Sequence, residues 1–300
     1  MGMAHDPRGQ EIIKEGLKRL KEKFDKLSES EKEWFDKDKL WNPYGDTRLL
    51  FSASNQPLKR VLAGIDIEGP ELLAAKFMPQ SVDAAIAHHP QGKAFVRLAE
   101  MIVEMSGDLY ERWGVPPNVS EGIMNNYANK LTDRLRAANK RRWVDLARLL
   151  WLGYLCVHTP ADNLAQTFVS RKIKQKRVKF VGEVVEILTK IEEFKNPLCA
   201  PRVVVGHQDA RCGRVCVFMT GGVEPPPEFV KYLVLAGVGT LVAMHIRDEY
   251  VKQLQQEHIN VVTVGHMAAD SLGMNLLLDE LEKRGTEIIP CSGLIRVRRF

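Results

Sequence analysis

Apolar positions along this chain change their period several times, and each change predicts an element. Between residues 10 and 40, Ile12, Ile13, Leu17, Leu20, Phe24 and Leu27 recur at three- and four-residue intervals among lysines and glutamates. That spacing predicts an amphipathic helix whose stripe covers a core or a subunit contact. The segment WNPYGDTRLLFSASNQP carries prolines, Gly45 and Asn/Ser residues, and reads as a connection into the main body. VLAGIDI, ELLAAKFMPQ and VDAAIAHHP then predict strand, helix and strand. From Gln91 to about Leu152 the pattern is helical, broken at Pro116-Pro117, and WLGYLCV resumes a strand just before HTPADN opens a helix. The last third alternates again: PRVVVGH, RVCVFMTGG, PPEFVKYLVLAGV, GTLVAMH, DEYVKQLQQEH, NVVTVGH, AADSLGMNLLLDELEKRG and IIPC.

Such alternation predicts an α/β fold containing parallel sheet. The expected layout is an N-terminal helical arm at 1–50 and a first α/β lobe at 51–200 with a helical insertion at about 91–152. A second α/β lobe at 201–300 completes the site. No internal repeat is visible at the level of residues.

Composition narrows the class. With 300 residues and 45% apolar content the chain can bury a sizeable core. The charge of +5 is a small excess of 43 basic over 38 acidic residues, which argues against a dedicated nucleic-acid surface. Basic density is local, at Arg171–Lys179 and in the closing RVRRF, and the first run reads as a solvated face. The five cysteines, Cys156, Cys199, Cys212, Cys216 and Cys291, contain no CxxC pair, so neither a disulfide framework nor a thiolate zinc site is expected. The charged N-terminus lacks the apolar core of a signal peptide, and the run from Phe229 to Met244 is too short for a bilayer. A cytoplasmic protein without a membrane partner is expected.

Three places carry candidate chemistry. His88 and His89 follow an apolar strand directly, at the carboxyl end where α/β sheets place functional loops, and Pro90 favours the turn that both rings need to serve one site. Alone, such a pair can be an ordinary loop cap. His158 and Asp162 stand in HTPADN after another strand, where Asp162 can be a ligand or a helix cap and His158 can orient a ligand or move a proton. His266 and Asp270 share one helical face four residues apart, again after a strand. Together the three deliver imidazoles and carboxylates to one edge of a sheet. That donor set suits zinc, iron, manganese, nickel or cobalt, and two ions could share five ligands. A two-metal centre points to hydrolysis at phosphorus or carbon. A non-catalytic protein that uses the same cluster to bind metal or regulate a partner is the alternative. The Gly221-Gly222 pair reads as an ordinary turn, and Cys212, Cys216, Ser271 and Ser292 have no recognisable reactive setting.

VDAAIAHHP at 82–90, VHTPAD at 157–162 and GHMAAD at 265–270, in that order, resemble the Nif-three-like proteins, also described as GTP cyclohydrolase 1 type 2 homologues. The resemblance runs from about residue 58 to the C-terminus and implies a two-lobed α/β fold, a dinuclear metal centre and a ring-shaped homo-oligomer, a hexamer among the options. It assigns His88, His89, Asp162, His266 and Asp270 as ligands of about two divalent ions per chain; His158, from its own place beside them, is the candidate for proton transfer or for orienting a ligand. A small, nucleotide-like substrate follows from the same likeness. This chain departs from the family in having Asp270 where glutamate is usual. It also has GTLVAMHIRDEY, with His245, where the family has a threonine-glycine-acid stretch followed by histidine.

Overall fold

Strands read as nearly continuous apolar runs, such as AAIA and VVT, belong in the middle of a sheet covered on both faces. The computed structural model, which describes residues 1–136, 139–197, 199–222, 224 and 226–300, places them there. Among the described residues the strands form two sheets. The first has the order β1-β4-β3-β2-β9, from β1 (Arg48–Phe51), β2 (Arg60–Gly64), β3 (Ala84–Ala87), β4 (Gly153–Cys156) and β9 (Glu287–Cys291). The second has the order β5-β8-β7-β6, from β5 (Arg202–Val205), β6 (Arg214–Phe218), β7 (Val238–Ala243) and β8 (Asn260–Thr263).

The two sheets repeat one topology. In each, the first strand of the set lies antiparallel against the fourth, and the fourth, third and second follow in parallel. Register makes the equivalence specific: Gly64 pairs with Ala87 and Ala87 with Cys156, while Phe218 pairs with Ala243 and Ala243 with Thr263. The first sheet gains a fifth strand when β9, from the end of the chain, returns beside β2. The segment expected to be a plain connection contains β1, because RLLF hydrogen-bonds along the edge of β4. Four residues among turn-forming neighbours are too few to show a period.

Helices fill the space between and outside the sheets. α3 (Gly69–Phe77) and α7 (Arg142–Leu149) cover the outer face of the first sheet, where Leu72, Ala75 and Ala147 meet Leu62, Ala85 and Tyr154. α5 (Leu98–Arg112), α10 (Val230–Leu235) and α11 (Asp248–Gln256) cover the outer face of the second, packing Tyr110, Leu233 and Leu254 on Phe218, Leu241 and Val261. The helical block is completed by α4 (Gly92–Val96) and α6 (Pro117–Arg136), with the break at Pro116-Pro117; its residues 137 and 138 lie outside the described residues. α1 (Gln10–Asp25) and α2 (Glu29–Trp34) form the N-terminal element, of which only Ile13 is buried. Among the described residues no helix is long and apolar enough to cross a membrane.

The middle layer positions the site. α8 (Thr159–Lys174) and α12 (His266–Glu282) lie between the sheets: Ala161, Met274 and Leu278 pack on the first, while Ala165, Val169, Ala268 and Leu272 pack on the second with α9 (Val181–Thr189). A helix buried on all sides needs small residues where backbones meet. Gly273 supplies one, because a Cβ there would stand 2.2 Å from the carbonyl oxygen of Ala161. α8 follows β4 and α12 follows β8, the equivalent strands of the two sheets, so the N-termini of both helices open at one place.

Candidate metal centre

Strand β3 does not stop at Ala87 as a hydrogen-bonding element. The amides of His88 and His89 continue the parallel ladder by donating to the carbonyls of Gly64 and Ile65, each at 2.9 Å. The two rings nevertheless face one site, with centroids 5.2 Å apart and planes tilted by 45°. His88 is fully buried and His89 partly so. From the next strand, His158 stands just ahead of α8, and Asp162 projects from its first turns. Asp162 does not cap its own helix; its Oδ2 accepts the amide of Gly221 at 2.9 Å. After β8 come His266, the first residue of α12, and Asp270 one turn on. Gly265, with φ of +82°, makes that entry, and a Cβ there would meet the Cβ of Cys199 at 2.3 Å.

All six side chains converge. His88 Nε2 lies 3.4 Å from Asp162 Oδ1 and 3.5 Å from Asp270 Oδ1. His89 Nε2 and His266 Nε2 each lie 3.5 Å from Asp270 Oδ2, and His158 Nε2 lies 3.8 Å from Asp162 Oδ2. Among the described residues two groups have donor atoms within 4.8 Å of one another and could hold an ion: His88, His89 and Asp270, and His88, His158 and Asp162.

The outer nitrogen of each imidazole is committed elsewhere. His88 Nδ1 meets the carbonyl of Val157 at 3.0 Å, His89 Nδ1 meets Asp66 at 2.6 Å, and His158 Nδ1 meets Asp46 at 2.8 Å. A carbonyl or carboxylate only accepts, so Nδ1 of these three rings carries a proton, and in the neutral form each turns its Nε2 lone pair inward. The inward atoms have nothing to bond: His88 Nε2, Asp162 Oδ1, His266 Nε2 and both oxygens of Asp270 are buried without a hydrogen-bond partner. Buried polar atoms are otherwise nearly always satisfied. The arrangement therefore favours a cation, since the orphaned atoms are of the kinds that ligate divalent metals.

Electrostatics gives the same answer. Asp162 and Asp270 are both fully buried, and among the described residues no lysine or arginine pairs with either. Buried negative charge of this kind demands a counter-ion. Without one, the imidazoles must provide it. Burial pushes the His88 imidazole down, but Asp270 and Asp162 outweigh it and hold the group well above its ordinary value. Burial pushes His89 down, but the Asp270 carboxylate 3.5 Å away and the bond to Asp66 prevail and raise it to about 9, while burial lowers His266. Asp270 stays ionised far below the carboxylate range because the surrounding histidines overcome its burial.

Several residues at the site were not singled out by the sequence pattern. Asp46 sits in the supposed connection, and Asp66 follows β2, where the carboxyl-end rule could have flagged it. Gly221 and Gly222, read as an ordinary turn, close over the site in left-handed conformations of φ +83° and +61°. A side chain at 222 would begin 3.2 Å from His266 Nε2. Gln166 and Asn163 of α8 hold this loop through Met219, Thr220 and the Thr220 hydroxyl. Cys212 and Cys216 are buried away from the cluster, and Cys216 is pushed up to about 11 by burial.

No protein-family model matches the chain, and no curated protein matches it. Solved structures do. A NIF3 superfamily protein from Sphaerobacter thermophilus superposes with a TM-score of 0.76 at 28% identity, covering 83% of this chain and 92% of that one. Reduced HcgD from Methanocaldococcus jannaschii superposes with a TM-score of 0.55 at 14% identity, covering 87% and 94%.

Proposed function

The chain is a divergent member of the Nif-three-like family, and from that premise we propose that it is a metal-dependent hydrolase with a dinuclear centre held by His88, His89, Asp162, His266 and Asp270. One observation carries the reading: buried, unpartnered donor atoms from both lobes point at one another. Divalent ions bound there would supply Lewis acidity and lower the pKa of water for attack on a phosphoester or cyclic amide of a nucleotide-like substrate.

The chain's own residues do the rest. Asp270 reaches toward His88, His89 and His266 with its two oxygens and would hold metal together with them. Its side chain is one methylene shorter than the family's glutamate, and its position on α12 still brings it within 3.5 Å of all three rings. His158, anchored at Nδ1 by Asp46, is the group that takes up or releases a proton at Nε2. The Gly221-Gly222 loop leaves room beside His266 and His158 that any side chain would occupy. A homo-oligomer is part of the same proposal, to be checked by light scattering.

Metal content of untagged protein, measured by plasma mass spectrometry beside a His88→Ala/His89→Ala variant of verified fold, tests the centre. About two ions per chain are expected in the parent and a clear loss in the variant; a parent that binds none after reconstitution with zinc, iron, manganese, nickel or cobalt sinks the reading. A panel of phosphoesters, nucleotides and cyclic amides then tests hydrolysis. Turnover that Asp162→Asn abolishes without loss of fold supports it. A metal-loaded protein inert on the whole panel supports the non-catalytic alternative.

A further inference from the structure

The fourth imidazole of the site lacks the anchor that the other three have. His88, His89 and His158 each give Nδ1 to an oxygen, but His266 Nδ1 meets another histidine, His245 Nδ1, at 3.1 Å. The two rings lie nearly parallel in plane, 16° apart, with centroids at 4.9 Å. Beyond His245, Nε2 lies 3.2 Å from Glu224 Oε2, and the other oxygen of Glu224 accepts from Arg247 Nε. Arg247 is held in turn by the Tyr250 hydroxyl at 2.6 Å.

The direction of every proton in this chain follows from its far end. Glu224 is buried and paired with a guanidinium, so it is a carboxylate and only accepts. His245 Nε2 must therefore donate. A neutral His245 then has a bare Nδ1, which accepts, so His266 Nδ1 must carry a hydrogen. His266 Nε2 is left with its lone pair, and that is the atom found buried and unpartnered 3.5 Å from Asp270. Both ring nitrogens of His245 are used by protein atoms, which leaves it no donor for an ion.

The repeated topology supports the assignment independently. Through the register that makes Ala87 equivalent to Ala243, His245 stands where His89 stands in the first lobe. His89 is bonded to Asp66, from the loop after the second strand of its set, and His245 to Glu224, from the loop after the second strand of its own. Each lobe thus sets a carboxylate-imidazole pair at the same edge. In the first lobe the imidazole faces the cavity, and in the second it faces a ligand.

We propose that His245 is the positioning residue of His266, fixing its tautomer and ring orientation through Glu224 so that Nε2 is presented to the metal. The inference rests on the metal-centre reading, yet the tautomer of His266 can be read without metal. In ¹⁵N-histidine protein stripped with chelator, long-range proton-nitrogen spectra, with His266 assigned from a His266→Gln sample, should show the Nδ1–H form. His245→Phe keeps a ring without an acceptor and should shift His266 to a mixture of forms. It should also weaken zinc binding about 10- to 100-fold in a chelator competition. His245→Asn, whose side-chain oxygen can stand in for Nδ1, should restore most of the affinity, and Glu224→Gln should fall between. An unchanged His266 spectrum with unchanged zinc affinity in His245→Phe overturns the proposal. Equal loss of zinc stoichiometry in both His245 variants also overturns it, by making His245 a ligand. If the parent binds no zinc, the dinuclear reading fails while the spectrum still decides whether the relay exists.

Discussion

A side chain can matter to this site without touching it, and Asp66 separates the two roles cleanly. Its carboxylate is about half exposed and bonds His89 Nδ1 at 2.6 Å. Surface pairs contribute little to stability, whereas a partner that orients a metal-binding imidazole strongly affects affinity. Asp66→Ala should leave urea unfolding of the metal-free protein within about 1 kcal/mol of the parent while weakening zinc binding roughly 10- to 100-fold. Retained affinity in a chelator competition would show that His89 needs no anchor. The histidines themselves were legible because each follows an apolar strand beside a proline or glycine. Asp66, Asp46 and Glu224 were not, since a lone carboxylate in a loop looks the same in sequence whether it faces water or an imidazole. His245 stood at a visible strand end, but its partner His266 is 21 residues on, and only the parallel pairing of β7 with β8 brings them together.

At the scale of elements, the alternation of strand and helix was legible because period 2 and period 3.6 leave different apolar patterns. The duplication was hidden, because the topology repeats while the residues shared by equivalent positions, such as His89 and His245, are too few to show as a repeat in sequence. The edge strand β1 was hidden for another reason: its pairing is with β4, more than 100 residues away, and its own four residues lie among turn formers. What joins the halves is the contact of α8 with α12, where Gly273 lies against the Ala161 backbone. Gly273→Ala would press a methyl onto the Ala161 carbonyl. The helices must separate, at about 1–3 kcal/mol of stability, and Asp162 must move relative to Asp270. Thermal unfolding should show the loss, and metal content should fall even in the folded fraction. Gly16→Ala, in the exposed part of α1 with nothing within 4 Å of the added carbon, should instead stabilise by about 0.5–1 kcal/mol. If both glycines respond alike, the crossing is not the constraint.

The whole molecule is closed by its last residues. The terminal RVRRF, which in sequence resembles a free basic patch, is bonded inward: Arg296 donates to Asp279 and Glu282 at 2.6 Å, Arg298 to Glu282 at 2.9 Å, and Arg299 to Glu193. Glu193 lies in a short turn after α9, and Asp279 and Glu282 on α12, so the tail ties β9 and the first sheet to the middle layer. Removing one partner leaves buried charge behind. Arg296→Ala strands Asp279 and should cost roughly 3 kcal/mol, visible in denaturant midpoint. The pH dependence has a definite sign. Bonds from Arg298 prevail over burial, with Arg296 assisting, and hold the Glu282 carboxyl below its ordinary value of 4.5. A group whose folded pKa is depressed contributes stability that is fully present above the unfolded value and is lost as pH falls through the folded one. In metal-free protein, the stability gap between the parent and Glu282→Gln should therefore be constant at neutral pH and close as pH falls below the ordinary carboxyl value of 4.5. Amides of residues 294–299 should lose hydrogen-exchange protection over the same interval. A gap that persists unchanged at pH 3 would mean that Glu282 acts through packing, and that the tail is held by Asp279 and Glu193 alone.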